Sequence, residues 1–150
     1  MKYSDLIQIY FERCNALETF WTIYVTVVGA LLAFCATRER IGIWTMSILT
    51  VAFCLFAAAN LGGMQDVTIE RLAAKQAVLA FPTPKDDDER ISLAKVRPII
   101  EPTLNPPSYT GLQGVRTFHI ACDSLTILAL WIKVILKSFC HPMQFQKAAL

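Results

Sequence analysis

His119 and Asp123 stand four residues apart, so on a helix both project from one face, where a carboxylate can orient an imidazole or share its proton. An ionisable group inside an apolar segment is costly and calls for a partner. Candidates for that partner come from three places in the chain. If residues 19–37, 43–61 and 116–138 cross a bilayer in turn, then Glu18, Thr22, Asn60, Arg116, His119 and Asp123 all lie at one depth. They form one expected polar cluster. It admits two readings: a proton relay or ion path through His119 and Asp123, or a structural tie in which Asp123 is paired by Arg116, His119 or the Thr22 hydroxyl. The tie is the simpler account, because Asp123 falls close to the end of its segment.

Other chemistry has little material. The chain holds two histidines, His119 and His141. Cys140 and His141 are adjacent but lack the further ligands that zinc requires. The run Asp86-Asp87-Asp88-Glu89 lacks the spacing, glycine and distal glutamate of a calcium loop, which leaves a solvated surface segment. The sequence contains no GxSxG, no phosphate-cradling glycine loop and no HExxH. No enzyme activity, cofactor or metal is expected. The five cysteines, Cys14, Cys35, Cys54, Cys122 and Cys140, are scattered without CxxC spacing and read as small packing residues.

The elements that must hold the cluster are written in the charge pattern. Over half the residues are hydrophobic (55%) and only 17% are charged. No charge occurs from Thr19 to Thr37 or from Ile41 to Gln65, and each run matches the ~20 residues that cross a bilayer. A net charge of +2 with interleaved signs excludes a nucleic-acid surface. The fold class expected is therefore an all-α integral membrane protein with three transmembrane helices, an antiparallel hairpin plus one.

Residues 1–18 place Leu6, Ile7, Tyr10, Cys14 and Leu17 at helical spacing, which predicts an amphipathic surface helix. A partner-binding helix is the alternative. The two-span hairpin covers 19–61. Phe20, Trp21 and Tyr24 open its first span at headgroup level, and the short Arg38–Gly42 turn returns the chain antiparallel. Small residues mark two expected packing faces: Thr26, Gly29 and Ala33 on the first span, and Ser47, Thr50, Cys54 and Ala58 on the second. Gly62 and Gly63 predict a helix end. A juxtamembrane helix follows over 62–81 with Asp66 as a cap. Six of the seven prolines fall between Pro82 and Pro107, so 82–115 reads as a proline-rich extramembrane loop, with short helical or extended pieces around Ile91 to Val96. The third span is 116–138, with Lys133 and Lys137 snorkelling at one end, and a re-entrant helix is its alternative. Residues 139–150 form a tail.

This organisation implies function through association. The expected partners are the lipid bilayer and other membrane subunits or copies of the chain itself. The expected role is a non-catalytic subunit or accessory protein of a larger membrane assembly, acting through helix packing and loop docking. The contrasting expectation is a small homo-oligomeric channel or proton conductor using His119 and Asp123. Arg38 and Arg40 tip the 38–42 turn and the C-terminus toward the cytoplasm.

Overall fold

The computed structural model describes residues 2–38, 41–83, 86–104 and 111–140, apart from the side chains of Asp87, Glu89, Lys133 and residues 137–140. It consists of four helices: α1 Tyr3–Thr37, α2 Ile43–Leu79, α3 Asp87–Ile100 and α4 Leu112–Cys140, with a 3-10 turn Glu101–Leu104 after α3. There is no strand among the described residues. α1, α2 and α4 are each long and apolar enough to cross a membrane.

Several sequence boundaries move. Residues 1–18 and the first span are one helix, because α1 contains no proline and its only glycine is Gly29. The apolar stripe of the first turns exists, but Tyr10, Leu17 and their neighbours pack against protein rather than a lipid surface. Gly62 and Gly63 do not end a helix. α2 runs 37 residues straight through them, and no glycine takes positive φ. Gly63 serves a close approach instead. A methyl group there would lie 2.6 Å from the Phe20 ring, whereas one at Gly62 would meet nothing within 4 Å. The juxtamembrane helix of 62–81 is therefore the second half of α2.

The loop expected over 82–115 is largely helical in its middle. Asp86 occupies the N-cap position of α3, and the acidic residues that follow it complement the positive end of the helix dipole. Pro98 is accommodated near the helix end, where the backbone is already tightening into the 3-10 turn. α4 begins at Leu112, about one turn before the expected third span, and extends to Cys140. Glu39 and Arg40 of the expected turn, and residues 141–150 of the tail, lie outside the described residues.

The chain divides into two compact units. One comprises residues 1–21 and 62–117. Its core joins Tyr10 of α1 to Ala74 and Val78 of α2 and to Leu104 of the 3-10 turn. Leu17, Met64, Val67 and Val115 form a second cluster. Arg97 fastens α3 within this unit. Its Nη2 donates to the Phe81 carbonyl at 2.6 Å, Nε pairs with Glu101 at 3.2 Å, and the guanidinium lies 5.8 Å from the centre of the Tyr3 ring. Arg13 and Glu70 add an ion pair at 3.2 Å that is half-exposed and contributes little.

The other unit comprises residues 22–61 and 118–150. Here Tyr24 meets Phe53 and Phe56, while Cys35 packs on Met46 and Leu130. These pairings make α1 and α2 antiparallel within the unit and set α4 parallel to α1. The Trp131 indole donates to Thr50 Oγ1 at 3.0 Å, and the Thr50 hydroxyl in turn donates to the Met46 carbonyl at 2.8 Å. Nothing polar is left hanging in that contact.

A four-residue polar cluster as the candidate functional site

The inward face of α2 follows alternating steps of four and three residues: Met46, Thr50, Phe53, Ala57, Asn60, Met64, Val67, Arg71, Ala74 and Val78. All are buried except Thr50, which is half-buried. Such spacing is that of a coiled-coil seam. Asn60 is thus a seam residue. In α1 the same rhythm runs through Tyr10, Cys14, Leu17, Trp21, Tyr24, Val28, Leu31 and Cys35, which puts the Tyr24 ring inside. In α4 the inward residues His119, Cys122, Thr126 and Leu130 follow steps of three, four and four.

These three seams bring Tyr24, Asn60, His119 and Asp123 together within the second unit. The imidazole of His119 is fully buried, with 0% exposure. Its Nδ1 lies 2.8 Å from Asp123 Oδ2, and its Nε2 lies 3.2 Å from Asn60 Nδ2. The Tyr24 hydroxyl donates to Asp123 Oδ1 at 2.9 Å. With the amide nitrogen of Asn60 turned to the ring, Nε2 accepts, so Nδ1 carries the ring proton and donates to the carboxylate. Each carboxylate oxygen then receives one donor. The Tyr24 ring covers the imidazole, with ring centres 4.4 Å apart.

The expected cluster is thereby narrowed and extended. Asn60, His119 and Asp123 are brought together. Thr22 is exposed on α1, and its carbonyl accepts from the Thr26 hydroxyl. Glu18 and Arg116 are exposed members of the other unit. Tyr24, read from the sequence as a headgroup aromatic, is the residue that was missed. Its seven-residue steps from Tyr10 and Leu17 were the signal for it.

The small-residue faces also shift. Thr26, Gly29 and Ala33 are exposed, and nothing approaches within 4 Å of a methyl group built on Gly29. On α2, Thr50 holds Trp131 and Ser47 is half-buried, while Cys54 and Ala58 are exposed. The hairpin therefore packs through larger residues, whose side chains fill the seam, and turns most of the small ones outward.

Chemically, the cluster can hold a carboxylate and a neutral imidazole in fixed geometry. Among the described residues, no group of three or more His, Cys, Asp or Glu side chains is arranged to hold a metal ion. Comparisons of this chain with protein-family models, with curated proteins and with solved structures find no match.

Proposed function

We propose that the protein is a membrane-embedded, non-catalytic subunit whose work is to bind other membrane-spanning subunits. In this reading α1, α2 and α4 cross the bilayer through the unit built from residues 22–61 and 118–150, and the 38–42 turn and the C-terminus are cytoplasmic. Charge-free runs of bilayer length support the insertion, as do the arginines of the short turn for the orientation.

The observation that carries the reading is the open small-residue face of Thr26, Gly29 and Ala33. Lipid chains gain nothing from small residues, whereas a neighbouring helix can approach closely over them. The channel reading draws less support. His119 is turned inward against its own α1 and α2 and is fully buried, so it does not line a path between copies of the chain.

The test is mild detergent extraction of the tagged protein from its own membrane, followed by native mass determination. Stoichiometric foreign subunits are expected, and Gly29→Leu should release them while leaving the thermal stability of the isolated chain unchanged or raised. A discrete homo-oligomer with nothing else attached would overturn the reading in favour of the channel.

A further inference from the structure

Between Thr22 and Thr37, Ile41 and Leu61, and Phe118 and Ile132, the only formally charged residue is Asp123. A carboxylate offers about four acceptor positions, and Tyr24 and His119 take one on each oxygen. Neither is a lysine or arginine. Arg116 stands two turns earlier on α4, and among the described residues no lysine or arginine pairs with Asp123, whose contact with His119 is the hydrogen bond from Nδ1. The Asp123 side chain keeps 19% exposure, so it stands at the edge of the bundle and not in its centre. One turn away on the same side of α4, Ile120 is exposed and Ile127 half-buried, and Ser124 next in the chain is exposed and small. An anion at the surface of an apolar bundle, with its polar partners all on the inner side, is matched by a cation arriving from outside.

We propose that Asp123 is the docking point for a membrane-spanning helix of another protein that carries a lysine or arginine at the depth of the carboxylate. This rests on the subunit reading above and names the chemistry of the partner. A second copy of this chain is the poorer occupant. Copies inserted in the same direction carry Arg116 about 10 Å along the helix from Asp123 and bring like charge to like charge at equal depth.

The experiment places a photo-crosslinking amino acid at Ser124 of the full-length protein, in its native membrane, and identifies the joined segment by mass spectrometry. A foreign apolar segment with a lysine or arginine within one turn of the crosslink is expected. Asp123→Asn should lower the crosslink yield at least about tenfold. Changing the partner's cation to glutamine should do the same with this chain untouched, which separates loss of docking from loss of fold. A joined segment without a basic residue, a joined second copy, or a yield indifferent to both charge removals would overturn the proposal while leaving the subunit reading in place. Wild-type protein that co-purifies with no foreign subunit would overturn both.

Discussion

At the scale of single residues, the polar cluster and the Phe20–Gly63 contact make distinct expectations. Tyr24→Phe removes one donor from Asp123 and leaves the ring in place. Stability, followed by thermal or denaturant unfolding in detergent, should fall by about 0.5–1.5 kcal/mol. His119→Ala should cost more, about 2–4 kcal/mol, because it opens a cavity and takes one hydrogen-bond partner each from Asn60 and Asp123. Gly63→Ala should destabilise by about 1–3 kcal/mol through its clash with Phe20, and Phe20→Leu should relieve it. Gly62→Ala, with open space around it, should instead stabilise by up to about 1 kcal/mol, since alanine is the better helix former. Three members of the cluster were legible in the sequence because an ionisable residue in an apolar run announces itself. Tyr24 was not, because an aromatic near the start of a span has an ordinary place among headgroups. Only its register along the whole helix reveals that it faces inward.

At the scale of elements, the first two long apolar helices were plain in the charge-free runs, and their ends were misread for two physical reasons. Glycine pairs end helices when they supply a left-handed turn, yet a glycine can equally make room for a ring, and nothing local in Gly62-Gly63 distinguishes the two. Proline density argues against helix, yet Pro98 sits in the last turn of α3, where little helix follows it and the backbone is already tightening into the 3-10 turn, and the acidic run before it favours a helix start. α3 is held largely through Arg97, with its bond to the Phe81 carbonyl and its pair with Glu101. Arg97→Met should therefore lower the free energy of local opening across 87–104 by about 1.5–3 kcal/mol. Hydrogen exchange would show this as faster exchange in that segment, with protection of Tyr24 and Asn60 unchanged. The seam on α2 was also within reach of the sequence. Met46, Phe53, Asn60, Val67 and Ala74 recur every seven residues, but counting small residues pointed one position away, to Ser47, Cys54 and Ala58. The asparagine in that seam has a structural meaning of its own, since a polar residue at such a position fixes which turn of one helix meets which turn of the next.

At the scale of the whole molecule, the proposed insertion and orientation have a direct check. Ser92→Cys on the exposed surface of α3 is expected to react with a membrane-impermeant maleimide in intact cells, in a background lacking the other cysteines. Thr37→Cys should react only after the membrane is permeabilised. The reverse pattern would invert the topology. The placement of Asp123 also bears on how the chain is made. A segment leaving the ribosome partitions into lipid according to its own composition, and an aspartate about two turns inside it opposes this, by part of the ~2.5–3.5 kcal/mol that it would cost at the helix centre. α4 carries that handicap, together with Lys133, while the charge-free stretches of α1 and α2 do not. The residues that receive the carboxylate's network, Tyr24 and Asn60, belong to the two helices synthesised first. With the insertion proposed above, biogenesis would be ordered by chemistry: the hairpin would enter the membrane unaided, and the last helix would follow once a polar berth is waiting for it.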